Sequence, residues 1–178
     1  MESLDLLRKL LAEKICLVGI GNHLRGDDGF GPYFIEKIRE KSLLPEENLM
    51  TVEDVPENYA FPISRKDVGS VVFVDAVILE APPGTVVLGP LEELEEVGQI
   101  ASTHKLSLRL TARVIEEAGK RVYLLGMVPE TMEFGRELSP KIRRVTDELV
   151  GLLEGMIKDL NLPGAGGRGL KPTGRKSQ

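Results

Sequence analysis

The sequence has no tryptophan, a single cysteine and two histidines in 178 residues, and only 4% of it is aromatic. One cysteine excludes a disulfide framework within the chain. Cys16 lies inside the apolar run Ile15-Cys16-Leu17-Val18, where a free thiol reads as a small buried hydrophobe. With only His23 and His104, no His-Glu-x-x-His pair can form for a resident zinc, and no Gly-x-Ser-x-Gly elbow is present. There is no basic excess either: 23 basic against 28 acidic residues give a net charge of −5, which offers no footprint for nucleic acid. No apolar run approaches the length of a membrane span. Met1 is followed by Glu2 and Asp5, not by a basic stretch and an apolar core, so no membrane partner is expected and the cytoplasm is the expected compartment.

Glycine, by contrast, is concentrated in one place. Gly19-Ile20-Gly21-Asn22-His23-Leu24-Arg25-Gly26-Asp27-Asp28-Gly29-Phe30-Gly31 holds five glycines in thirteen residues, directly after the apolar run. A β-prone run, a glycine-rich turn and a helical pattern in succession describe a strand leading through a tight turn into a helix, with backbone open to close approach by a ligand. The dinucleotide fingerprint fails on spacing, because Leu24 stands where G-x-G-x-x-G needs its third glycine, and no Walker lysine follows. Two adjacent aspartates would also repel a pyrophosphate at that helix start. The loop suits a cation or a polar peptide backbone. The plainer alternative makes Asp27 and Asp28 a helix N-cap and a carboxylate favoured by the helix dipole.

Along the chain, leucines at 4, 6, 7, 10 and 11 predict a short amphipathic helix over residues 2–13. Strand signals follow at 14–20, 50–55, 71–77, 85–88 and 121–128, with helical patterns at 30–40, 102–118 and from Ser139-Pro140 to Leu160. The turn before residue 85 is so short that this strand is expected antiparallel to its predecessor. Ser102 or Thr103 is the expected cap of one helix and Ser139 that of the last, with Pro140 in its first turn. From Pro163 the composition turns to Gly, Arg, Lys, Pro and Ser, so 163–178 is expected to be a disordered basic tail on a single domain spanning 1–162. Strands alternating with helices make this an α/β fold, a three-layer sandwich with a mainly parallel sheet of about five strands flanked by helices.

Three chemistry-bearing side chains fall at equivalent places: Asp28 after the first strand, Asp75 at the end of the central strand, and His104 at the start of a later helix. In such a sheet functional side chains gather at the carboxyl ends of the strands. Two carboxylates and an imidazole suit a divalent ion such as nickel, zinc or cadmium and leave coordination positions open. Taken singly, each has a structural reading: His104 as a helix-start histidine, Asp75 as a loop cap. His23 is read as solvated.

The segment Gly21-Asn22-x-Leu24-x-Gly26-Asp27-Asp28-Gly29-x-Gly31 resembles the signature of the NiFe-hydrogenase maturation endopeptidases, particularly the branch serving membrane-bound or formate-linked hydrogenases. The resemblance continues through Pro56-Glu57-Asn58, Val74-Asp75-Ala76, Thr103-His104-x-Leu106, Leu125-Gly126-x-x-Pro129 and Leu138-Ser139-Pro140, covering about residues 14–155. It implies an endopeptidase that removes the C-terminal extension of the hydrogenase large-subunit precursor after nickel insertion. In that family the positions matching Asp28, Asp75 and His104 contact the metal, and nickel arrives carried by the substrate, with no organic cofactor. Asn22, Asp27 and the glycine backbone, Gly26 and Gly29 included, would shape the substrate site, and Glu57 and Asn58 would meet the peptide. The leading helix and the basic tail depart from the family pattern. Two mechanisms stay open: metal-assisted hydrolysis, or an aspartic-type acid/base pair of Asp28 and Asp75 with the metal licensing docking. So do two alternative functions, a non-catalytic nickel-sensing chaperone of the precursor and a resident-metal peptidase of broader specificity.

Overall fold

A computed structural model describes residues 2–96 and 101–162. Its strands are β1 (Ile15–Gly19), β2 (Leu49–Thr51), β3 (Ser70–Ile78), β4 (Val86–Pro90), β5 (Ala101–Ser102) and β6 (Arg121–Met127). Its helices are α1 (Glu2–Ala12), α2 (Phe30–Glu40), α3 (Ala60–Ser64), α4 (Leu91–Glu96), α5 (Lys105–Glu117) and α6 (Pro140–Asp159). Five strands lie side by side in the order β2-β1-β3-β6-β4, and β5 adds a short antiparallel rung to the end of β3. The pairs β1 with β2, β1 with β3 and β3 with β6 are all parallel.

The β1 and β3 sequences are apolar almost without interruption because both faces of the sheet are covered. Successive side chains point to opposite faces, so Ile15 and Leu17 join the core under α1, α2 and α6 while Cys16 and Val18 join the core under α3, α4 and α5. Phe30, Phe34, Ile35 and Ile38 form the buried stripe of α2, and Leu108, Ala112 and Ile115 that of α5. Cys16 is fully buried, and that burial pushes its thiol up to about 11, which removes it as a nucleophile at neutral pH. Three layers result, the sandwich expected from the pattern.

The structure differs from the sequence reading in detail, with β2 ending at Thr51 and α5 starting at Lys105. β4 is antiparallel, but to β6 and not to its predecessor β3, because the Pro82-Pro83-Gly84 turn carries the chain across to the far side of β6. A one-and-a-half-turn helix, α4, and the two-residue β5 were both missed, being too short to show a period. Ser139 stands at the N-cap position of α6 yet makes no side-chain cap bond, its hydroxyl being used elsewhere. The basic tail, 163–178, lies outside the described residues.

From β1 the chain passes through α2 to β2 on one side, whereas β3 lies on the other. The carboxyl ends of β1 and β3 therefore flank the point where the strand order reverses, the usual place for a ligand in an open α/β sheet. Helix α2 is pulled tightly against this point. A Cβ built on Gly31 would come within 2.3 Å of the Ile20 carbonyl oxygen and 2.4 Å of that of Val74. Gly31→Ala is expected to cost about 1–3 kcal/mol or more, since backbone on both sides must give way. Gly151→Ala, in α6 with nothing within 4 Å of the added carbon, should stabilise by about 0.5–1 kcal/mol. Urea unfolding of the two variants checks both signs.

Candidate metal and peptide site

Four short segments converge on the switch point. The glycine loop leaving β1 folds over β3 and the chain after β2, with the Ile20 amide donating to the Val74 carbonyl at 2.8 Å and the Gly21 amide to the Glu53 carbonyl at 2.9 Å. Gly21 adopts φ +130, and a Cβ there would fall 1.9 Å from the Asp28 carbonyl oxygen, so only glycine lets the turn close on itself. The turn brings the Asn22 amide to Asp28 Oδ2 at 2.8 Å, while Asn22 Oδ1 accepts from the Leu24 amide at 2.9 Å in an Asx turn. Asp28 is buried, and its Oδ1 has no hydrogen-bond partner. Neither aspartate caps a helix: no side-chain cap bond is made at Gly26–Gly29 or at α2.

Asp75 and His104 are joined by β5. The register Val77 to Ser102 lays this segment along the end of β3, and the Thr103 amide donates to the Ala76 carbonyl at 3.2 Å. Asp75, fully buried, accepts from the Ser102 hydroxyl, more distantly from the Thr103 hydroxyl at 3.3 Å, and from His104 Nδ1 at 3.1 Å. The His104 amide donates to Ser102 Oγ at 2.9 Å. Ser102 and Thr103, expected as helix caps, are instead the donors that hold this buried carboxylate. On its other edge His104 Nε2 lies 3.1 Å from Asp54 Oδ1.

Ligand atoms of Asp28, Asp54 and His104 all lie within 4.8 Å of one another. Of the sequence-derived trio, Asp28 and His104 meet in this group and Asp75 stands behind the imidazole. The structure adds Asp54, which the sequence reading left inside the strand at 50–55, whereas β2 ends at Thr51 and Asp54 lies in the turn beyond it. The imidazole has one nitrogen toward each flanking carboxylate. A cation held by Asp28 and His104 would be completed by Asp54, which faces the outer ring nitrogen, while Asp75 holds the inner one. Two carboxylates, an imidazole and an unpartnered buried oxygen fit a divalent cation of the borderline class. An acid/base pair of Asp28 and Asp75 fits poorly, since Asp75 is sealed from water with its oxygens engaged.

The remaining expected positions divide. Asn22 and Gly29 belong to the turn that shapes the Asp28 position. Asp27 is fully buried with both oxygens bonded to the loop after β6, so it is a structural tie and not a substrate contact. Gly26 and Gly29 line a groove of about 310 Å³ with His23 and Tyr33, on the side of the loop facing the starts of α2 and α6. Glu57 and Asn58 are exposed in the 3₁₀ turn Pro56–Tyr59 just past Asp54. A larger groove of about 960 Å³ runs along the start of α6 and touches none of the four ionisable groups. Chemistry, not hollow size, marks the site.

Charge follows the same layout. Burial works against a positive His104, but the Asp75 hydrogen bond and charge outweigh it, with Asp28 and Asp54 adding to the pull, and the imidazole is pushed up to about 9. Burial pushes the Asp75 carboxyl up, while His104 and Ser102 oppose the rise. An imidazole raised to about 9 stays protonated at neutral pH in metal-free protein.

A family model described as hydrogenase maturation protease matches residues 33–156. A putative hydrogenase maturation protease of Methanocaldococcus jannaschii is 26% identical over 158 residues, covering 84% of this chain and 92% of that protein. The hydrogenase 3 maturation protease of Escherichia coli K12 is 26% identical over 141 residues, covering 78% and 88%. Among solved structures, the NiFe-hydrogenase maturation protease HycI of Thermococcus kodakarensis superposes with a TM-score of 0.72 at 31% identity, over 86% of this chain and 99% of that one.

A raised imidazole contributes stability that is fully present below its unfolded value of about 6.5 and is lost as pH rises through its folded value. In metal-free protein the His104 ring protons should therefore titrate by NMR near pH 9, and urea midpoints should fall between pH 6.5 and 9. Asp75→Asn should bring the titration down toward the ordinary histidine range. An unchanged midpoint in that variant would contradict the pairing.

Proposed function

The chain belongs to the hydrogenase maturation protease family, and from that premise we propose that it cuts the C-terminal extension from a hydrogenase large-subunit precursor once nickel has been installed. The observation that carries the metal half of this reading is the unpartnered buried oxygen of Asp28 beside Asp54 and His104. A buried carboxylate oxygen left without a donor is costly unless a cation or proton visits it. Nickel enters as the substrate's cargo, held by the precursor.

Asp28 and His104 meet that cargo, the glycine backbone admits the extended peptide, and Glu57 and Asn58 flank it. A divalent cation held by Asp28, Asp54 and His104 would polarise the scissile carbonyl. Asp75 keeps one imidazole nitrogen bonded, which fixes the direction of the other. Ser102 holds Asp75 and the His104 amide together, so the side chain and backbone of His104 are positioned by one carboxylate. No helix in the described residues is long and apolar enough to cross a membrane. Action in the cytoplasm is part of the same proposal.

Mass spectrometry of purified precursor, with and without nickel, incubated with this protein tests the reading. Cleavage is expected only with nickel. Asp28→Asn and His104→Ala should abolish it, Asp75→Asn should slow it about 10–100-fold, and His23→Ala should leave it unchanged. Equal cleavage of nickel-free precursor would remove the nickel gate, and wild-type cleavage by His104→Ala would remove the site. Tight binding of the nickel form with no cleavage at all would favour a chaperone.

A further inference from the structure

The two neighbouring aspartates do opposite things. Asp28 looks into the cleft, whereas Asp27 turns away and is fully buried. Asp27 Oδ2 accepts from the Glu130 amide at 2.8 Å, the Thr131 amide at 3.0 Å and the Ser139 hydroxyl at 2.9 Å. Its Oδ1 accepts from the Ser139 amide at 2.7 Å. Four donors on one carboxylate, all from the segment joining β6 to α6, are matched by backbone bonds in both directions: Asp27 N to Thr131 O at 2.8 Å, Gly26 N to Arg136 O at 2.9 Å and Gly135 N to Leu24 O at 2.8 Å. Gly26 takes φ +56, and a Cβ there would lie 2.7 Å from the Thr131 carbonyl oxygen, so the two segments touch backbone to backbone.

We infer that Asp27 is a positioning residue: by clamping the 129–139 segment to the glycine loop it holds Asp28 at the distance from Asp54 and His104 that cation binding needs. The inference rests on the functional reading for its meaning in catalysis, though not for its structural content. The route is short. The clamp fixes Asp27, the Asp28 amide donates to the Arg25 carbonyl at 3.1 Å, and the same turn delivers the Asn22 amide to Asp28 Oδ2. Without the clamp the turn loses its outer support, and the Asp28 carboxylate is no longer fixed.

The substitutions are graded by chemistry. Asp27→Ala removes all four acceptor contacts. Asp27→Asn can keep the three bonds at one oxygen, but it turns an amide donor toward the Ser139 N–H, where two donors face each other. Leu153→Ala, in the α6 core and away from the loop, supplies a control of lowered melting temperature. Two readouts separate positioning from general weakening: amide exchange at Asn22 measured by NMR at 25 °C, and cadmium affinity measured by calorimetry.

Asp27→Ala should speed Asn22 exchange and weaken cadmium binding by tenfold or more each, Asp27→Asn by less, and Leu153→Ala should change neither beyond its effect on global unfolding. If Asp27→Ala does not fold, Asp27→Asn carries the same comparison. Asn22 exchange and cadmium affinity no more altered than in Leu153→Ala would overturn the inference. If the unaltered protein binds no cadmium, the ligand set fails, and Asn22 exchange alone still decides whether Asp27 positions the loop.

Discussion

A carboxylate sealed inside a parallel sheet has to be surrounded by donors, and much of the site follows from how this chain meets that demand at Asp75. Neutralising it with a lysine would fill the cleft. Instead β5 doubles back along the end of β3, bringing Ser102, Thr103 and the His104 ring onto the same two oxygens. The imidazole is thereby fixed in place and in protonation, with its second nitrogen turned toward Asp54 and the cleft. Asp75 and the β5 rung together set where α5 begins.

The glycine loop solves a second problem, that of presenting a carboxylate whose oxygen is left free. One oxygen of Asp28 is anchored by the Asn22 amide and the other is left over. Glycines at 21, 26 and 31 are required by closeness to carbonyl oxygens, and at 21 and 26 by a positive φ as well. They let α2, the 129–139 segment and β3 all crowd against a loop of about ten residues. A rigid first carboxylate and a pre-aimed imidazole are what a site needs if its cation comes and goes with a substrate.

Much of this was legible in the sequence. Buried parallel strands announce themselves as unbroken apolar runs, so β1, β3 and β6 could be placed, and Phe30–Glu40 carries a clear helical stripe. Asp28, Asp75 and His104 stood out because strand ends and helix starts are where an α/β sheet gathers function. What stayed hidden depends on tertiary pairing. Asp54 follows a three-residue strand too short to define its end, and Ser102 has the look of an N-cap until β5 pairs with β3. Whether an aspartate in an Asp-Asp pair turns inward or outward is likewise settled only by its neighbours in space, and Asp27 turns inward because the Glu130, Thr131 and Ser139 amides await it there. The antiparallel partner of β4 was misplaced because turn length sets direction but not which strand is met.

The proposed function depends on Asp28 and His104 being able to hold one cation at the switch point. The most direct test is a crystal structure of the protein soaked with cadmium, with the ion located by its anomalous signal. The expected result is an ion bonded to the Asp28 carboxylate and to a His104 ring nitrogen, with Asp54 completing the set. An ion bound elsewhere on the chain, with Asp28 and His104 left unligated, would contradict it.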